Sequence, residues 1–304
     1  MATRFDSTLQ MSNSTDALFR AWAQFIHDTL ISTGGWVDPG DTGQLTISGA
    51  TKPVAINTKV GYRMYRMADS LQGSFPVFMR LDYGSGTTGA GLEPGVWVTI
   101  GTGSNGSGTI TGITYDGGSV TQATFRPGGN ATSACNSYGS ADTSRIQLLM
   151  FVRAAAIDMM AFSLERTKDA SGNDTGDGLL MFSEQPGSIG QLNKCNYIVR
   201  AGGSQPPVEN GLSFVISNQA TSAFTGDVGV GIPILFKGIA QQPGTGIIVT
   251  NSGDFLAQAV PSLSLYGSSR TYQLCDSSTQ PVAVTTGNGA VATRSNTRVG
   301  IRYD

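Results

Sequence analysis

The chain has 304 residues, 13% of them charged, a formal net charge of -2 and 41 glycines. Charge is about half the ~25% of an ordinary soluble domain and glycine nearly twice its usual ~7%, a mixture that suits short strands, tight turns and large contacts between subunits. Only five lysines occur, Lys52, Lys59, Lys168, Lys194 and Lys237, so there is no basic footprint for a phosphate backbone and direct nucleic-acid binding is set aside.

Length allows one large β domain or two smaller ones. Met1-Ala2-Thr3-Arg4-Phe5-Asp6 lacks the apolar core of a signal peptide. Residues 16–32 carry Leu18, Trp22, Phe25, Ile26 and Leu30 at spacings of three and four, the single apolar stripe of an amphipathic helix. Arg20, Gln24, His27 and Asp28 fall on the opposite side. Ser14, Thr15 and Asp16 offer N-caps, and Gly34 or Gly35 a left-handed C-terminal position. A stripe with Trp22 and Phe25 on it must dock, either on its own β domain or on another subunit. Leu18, Phe19, Trp22, Phe25, Ile26 and Leu30 are therefore the candidate interface residues.

After a turn cluster at 36–43, residues 44–48 alternate like a strand, and 60–66 and 77–84 follow as further strands with aromatic filling. Residues 84–95 shift to small side chains and mark the expected domain edge. This gives residues 1–90 as a helix plus β docking region and 91–304 as a large β-sandwich-like domain. Strands are expected at 96–100 and 109–113, and residues 114–144 read as loop-rich. Residues 148–164 are the nearest thing to a membrane span. At about 17 residues, with Arg153 and Asp158 inside, they read as buried core, so no span is expected.

Residues 157–184 read as a long hairpin. Phe162-Ser163-Leu164-Glu165 alternates, Gly178-Leu179-Leu180-Met181-Phe182 is apolar throughout, and the stretch between is rich in turn formers. Beyond it, strands are expected at 196–200, 212–216, 228–236, 246–250, 262–266, 271–274, 282–285 and 298–303, spaced as in a sandwich or barrel. The fold class is mainly β: antiparallel, sandwich- or barrel-like, with one N-terminal amphipathic helix.

The chemical motifs favour their structural readings. Gly101, Gly103 and Gly106 match GxGxxG after a strand, but a β-patterned run follows where a phosphate-binding helix is needed, so a glycine-rich hairpin turn is expected. Asn173, Thr175, Asp177, Gly178 and Glu184 can be laid on a calcium loop, yet the first position lacks its carboxylate and 179–182 is strand-like, which leaves a solvated turn. His27 is the sole histidine, which rules out a two-histidine zinc site within one chain. Asp82, Glu93, Asp158, Glu165 and Glu184 could meet in space as paired acids, although nothing in their spacing points to it. Tyr62, Tyr65, Phe75, Phe78, Tyr83 and Trp97 fit β-core or interface anchors better than a sugar platform. Cys135, Cys195 and Cys275 are odd in number and widely spaced, as expected of reduced, mostly buried thiols. No catalytic residue, metal ligand or cofactor is expected.

Several patches resemble a family of structural proteins from tailed bacteriophages. They are Arg4-Phe5-Asp6 before Phe19-Arg20-Ala21-Trp22; Trp36-Val37-Asp38 with Asp41-Thr42-Gly43-Gln44; and Phe75-Pro76-Val77-Phe78-Met79-Arg80-Leu81-Asp82-Tyr83-Gly84-Ser85-Gly86. Trp97-Val98-Thr99-Ile100-Gly101-Thr102-Gly103-Ser104-Asn105-Gly106 continues the pattern. So do Phe162-Ser163-Leu164-Glu165-Arg166-Thr167-Lys168-Asp169, Asn173-Asp174-Thr175-Gly176-Asp177-Gly178-Leu179 and Arg298-Val299-Gly300-Ile301-Arg302-Tyr303. Residues 114–144 and 185–295 match only loosely. The resemblance implies a non-enzymatic virion component of the tail or baseplate, made in the host cytoplasm and assembled as a symmetric homo-multimer with other virion proteins. A capsid cement or decoration protein is the first alternative. A receptor- or carbohydrate-binding tail module, with a host-surface glycan as its partner, is the second.

Overall fold

The computed structural model describes residues 3–32, 35–86, 93–118, 134–151, 159–182, 194–198, 213–217, 230–237, 240–251, 262–265, 268–274, 282–285, 291–294 and 297–303. The protein is mainly β with one helix near its N-terminus, and every described strand pairing is antiparallel. Strand β1 (Thr3–Gln10) precedes helix α1 (Asp16–Ile31). Next come β2 (Lys59–Arg66), β3 (Phe78–Ser85), β4 (Pro94–Ser104) and β5 (Ile110–Asp116), which pair in sequence order as a four-stranded sheet. The chain then builds β6 (Ala134–Asp142), β7 (Arg145–Phe151), β8 (Met159–Lys168), β9 (Asp174–Phe182) and β10 (Lys194–Ile198). With β1 returning beside β6, these make a six-stranded sheet in the order β1-β6-β7-β8-β9-β10.

A seven-stranded C-terminal sheet follows. It contains β11 (Ser213–Ser217), β12 (Val230–Lys237), β13 (Ala240–Pro243), β14 (Ile247–Asn251), β15 (Ser262–Leu265), β16 (Ser268–Leu274) and β19 (Thr297–Arg302). Its order is β11-β12-β14-β19-β16-β15 with β13 on β12, while β17 (Val282–Thr285) and β18 (Val291–Arg294) form a separate hairpin. Each sheet runs from one edge strand to another, so none closes into a barrel among the described residues.

Helix α1 is the centre of the core. Thr15 Oγ1 accepts the Leu18 amide at 3.2 Å, the N-cap bond its position promised. At the end of the helix Ser32 donates both its amide (3.0 Å) and its hydroxyl (2.6 Å) to the Asp28 carbonyl, and Gly35 does not take the left-handed conformation. Phe19, Trp22, Ile26 and Leu30 are completely buried. On one side Trp22 stacks at 5.8 Å from Tyr83 of β3. On the other, α1 lies so close to the six-stranded sheet that a Cβ on Gly139 of β6 would fall 2.4 Å from Thr29 Oγ1. Tyr65, Met79, Leu81, Val98 and Ile100 from the four-stranded sheet and Ile146, Leu148, Phe162, Leu164 and Leu180 from the six-stranded sheet join the helix in one apolar cluster. Each fully buried Phe, Leu or Ile contributes about 1.5–3 kcal/mol relative to exposure.

The expected hairpin over 157–184 is β8 and β9, paired Phe162 with Phe182 through Lys168 with Asp174. Its turn is held by Asp169, whose carboxylate accepts the amides of Asn173 and Ser171 at 2.9 Å each. The 44–48 strand is corrected: 47–49 is one 3-10 turn, and the Gln44 side chain, not its backbone, accepts the Met64 amide at 2.7 Å. The loop-rich reading of 114–144 is corrected where described, since β5 extends to Asp116 and 134–142 is β6. The division at 90/91 falls between β3 and β4, which pair from Phe78–Gly101 to Ser85–Pro94 within one sheet. Gly34, Cys275, residues 199–200, 212, 228–229 and 266, and the side chains of Cys135 and Cys195 lie outside the described residues.

Candidate functional site

The helix stripe turns inward. Phe19, Trp22, Ile26 and Leu30 are at 0% exposure and Phe25 at 7%, all against the chain's own sheets; Leu18 alone of the six is half-buried. The alternative in which this stripe docks on the chain's own β structure is the one the fold uses, and it leaves little of those side chains for a second subunit.

Large exposed apolar side chains among the described residues are Val54 at 85%, Ile56 at 48% and Ile113 at 48%. All three belong to the four-stranded sheet or to the segment leading into it. That segment, 51–58, is fixed rather than loose. Lys52 donates its amide to Asp16 Oδ1 (3.0 Å), Asn57 to the Gly86 carbonyl (3.1 Å) and Thr58 to Ser85 Oγ (3.2 Å), while the Ser85 hydroxyl donates to the Ala55 carbonyl. Asn57 sits at φ 51°, the left-handed region that asparagine tolerates better than most residues. The segment therefore presents Val54 and Ile56 on a held backbone.

Beside it, the outer face of the four-stranded sheet carries a row of charge. Arg80 and Asp82, two apart on β3, share a face and pair at 2.5 Å. Lys59 Nζ reaches to 3.9 Å of Asp82 and stands 5.3 Å from the centre of the Trp97 ring; the Arg80 guanidinium lies 4.3 Å over Tyr62. The far end of the row is closed by the β4–β5 hairpin. Asp41 accepts the Gly108 amide (2.7 Å) and the Ser104 hydroxyl, and Thr42 donates to the Gly106 carbonyl (2.9 Å). The glycines of the GxGxxG match thus serve a hairpin turn, with Gly106 and Gly108 at φ 80° and 90°.

The remaining chemistry-bearing residues are spread apart. Asp82 is in the row above. Glu93 is buried near the start of β4, and Glu165, at 2% exposure, accepts the Thr245 and Gly246 amides at 2.9 and 2.7 Å. Asp158 and Glu184 lie outside the described residues. Of the calcium-loop match, Asp177 is buried within β9 rather than in a solvated turn, and the neighbouring Asp174 pairs with Lys168. No group of three or more metal-binding side chains converges among the described residues. Nor is any described helix long and apolar enough to cross a membrane.

His27, placed by periodicity on the polar face, sits at the rim of the helix with Nδ1 3.0 Å from Tyr65 Oη, which in turn is 3.0 Å from Tyr83 Oη. Burial, then the nearby Arg63 guanidinium, push the imidazole below its ordinary 6.5, opposed by Asp28 and Asp38. Burial raises both phenols. Of the suggested aromatic platform, Tyr65, Tyr83 and Trp97 are buried and Tyr62, Phe75 and Phe78 half-buried.

Sequence reasoning passed over Val54, Ile56 and Ile113. The signal available for the first two was two β-branched residues in a non-periodic stretch between Pro53 and Asn57. No family model, curated protein or solved structure matches the chain.

Proposed function

We propose that the protein is a non-enzymatic structural component of a tailed-phage virion, in the tail or baseplate apparatus, and that it assembles as a symmetric homo-multimer. The family resemblance supplies the virion setting. The observation that carries the assembly reading is the rigidly held, solvent-facing pair Val54 and Ile56, set beside an aromatic and arginine row of low net charge. Interfaces between subunits are enriched in aromatics and Arg, as Tyr62 and Arg80 are on this face, and its remaining charges, Lys59 and Asp82, offset one another. The contact surface is accordingly the four-stranded sheet and its 51–58 segment, with a second copy of the chain opposite.

The polar side chains support the same reading by what they hold together. Arg166, buried, pairs with Asp69 at 2.8 Å and donates to the Phe75 carbonyl at 2.7 Å, tying the loop before β3 to β8. Asp41 ties the 38–43 turn to the β4–β5 hairpin. These groups serve shape.

Light scattering after size-exclusion chromatography tests the multimer, with Val54→Asp and Ile56→Asp combined expected to reduce it to monomer without changing the circular dichroism. Wild-type protein that runs as a monomer at all concentrations overturns the assembly reading. Mass spectrometry and imaging of purified particles bearing a labelled copy test the location. Absence from particles rejects the virion reading, and label on the head in place of the tail selects the decoration-protein alternative.

A further inference from the structure

We propose that the seam between the six-stranded sheet and the C-terminal sheet is a release plane closed by Glu165. Across it the C-terminal sheet undocks as one unit while the helix-centred core stays folded. The inference stands apart from the assembly reading and rests on the contrast between the two faces of one sheet.

Alternation along β7 and β8 sends Ile146, Leu148, Phe162 and Leu164 to the helix and Arg145, Gln147, Ser163 and Glu165 to the opposite face. All four of the latter are buried, at 2% exposure or less, and the first three bond in series. Arg145 donates to Gln147 Oε1 at 2.5 Å, and Gln147 donates to Ser163 Oγ at 3.3 Å. Against them sits the turn between β13 and β14. Glu165 accepts the Gly246 amide at 2.7 Å, the Thr245 amide at 2.9 Å and the Thr245 hydroxyl at 3.3 Å. The backbone of Gly246 is pressed so close that a Cβ there would lie 2.4 Å from Gln147 Nε2 and 2.7 Å from Ser163 Oγ.

The turn is bound to its own sheet as firmly as to Glu165. Tyr272 Oη donates to the Thr245 carbonyl and the Arg302 amide to the Gly246 carbonyl, both at 2.7 Å. Separation therefore carries β14, β16 and β19 along together. Opening this boundary parts the Tyr138–Tyr303 ring pair, 5.8 Å between centroids, but otherwise lets water replace the lost hydrogen bonds, whereas opening the helix face would expose the apolar core. Directional bonds converging on one carboxylate break together, which makes the clasp a two-state element.

Hydrogen exchange read by mass spectrometry on the full chain tests this, comparing wild type, Glu165→Gln and Thr245→Val. In the wild type, peptides from β14, β16 and β19 exchange through a shared opening faster than peptides from α1, β3 and β7. Glu165→Gln removes the charge and sets an amide against the Thr245 N–H. It is expected to speed the C-terminal set by about tenfold to a hundredfold, from the strength of charge-assisted hydrogen bonds, and leave the other set unchanged. Thr245→Val loses only the hydroxyl and gives the same pattern at smaller size, which serves if the glutamine variant fails to fold. A parallel change in both sets, or none in either, overturns the proposal.

Discussion

His27 shows how far one residue's role can depart from its place on a helical wheel. Periodicity puts it on the polar side, and the structure puts it on the rim, where its ring meets the buried Tyr65–Tyr83 pair. Burial and Arg63 lower its folded pKa below 6.5, so the unfolded chain binds the proton more readily. The stability this group contributes is complete above about pH 6.5 and is lost as pH falls through that value toward the lower folded one. As the only histidine, it is the expected source of a step between pH 8 and pH 5. Thermal midpoints measured over that range should fall for wild type and stay flatter for His27→Gln. Parallel falls would remove His27 as the cause.

At the scale of elements, β6 is the instructive case, because in its sequence Ala134-Cys135-Asn136-Ser137-Tyr138-Gly139-Ser140-Ala141-Asp142 only Tyr138 is of the bulky kind that marks a strand. Ser137, Gly139 and Ala141 are small because α1 lies across them, and closeness to a helix needs small side chains. Gly139→Ala places a methyl 2.4 Å from Thr29 Oγ1 and 2.7 Å from its Cγ2. Overpacking of this kind is expected to cost about 1–3 kcal/mol in urea unfolding, and Thr29→Ala in the same chain should recover part of it. If the double variant is merely the sum of the two single ones, the helix is not what the glycine accommodates. The elements legible beforehand were those whose own side chains carry the pattern: α1, β2 to β5, the β8–β9 hairpin, and β10 to β12, β14 to β17 and β19. Those missed are shaped by neighbours distant in sequence, as β6 is by α1, or by a side chain standing in for backbone, as Gln44 does beside Met64.

For the whole molecule, the boundary that the small residues at 84–95 suggest falls between two strands of one sheet. Strands β3 and β4 meet across that run, and β1 crosses back to pair with β6 from Thr3–Ala141 to Gln10–Ala134. The first 90 residues therefore supply one edge strand of the six-stranded sheet, half of the four-stranded sheet and the helix between them. A fragment of residues 91–304 would expose Ile146, Leu148, Leu164 and Leu180 where α1 now covers them. It would also strand Arg166 without Asp69, a buried charge whose loss of partner costs about 3–5 kcal/mol by itself. Such losses approach the 5–15 kcal/mol by which a whole domain is stable. The fragment is expected to be insoluble or to lack near-ultraviolet circular dichroism, and to regain both solubility and signal when co-expressed with residues 1–90. A fragment 91–304 that folds alone, with a cooperative melt, would show that the helix-centred core is dispensable to the strands packed around it.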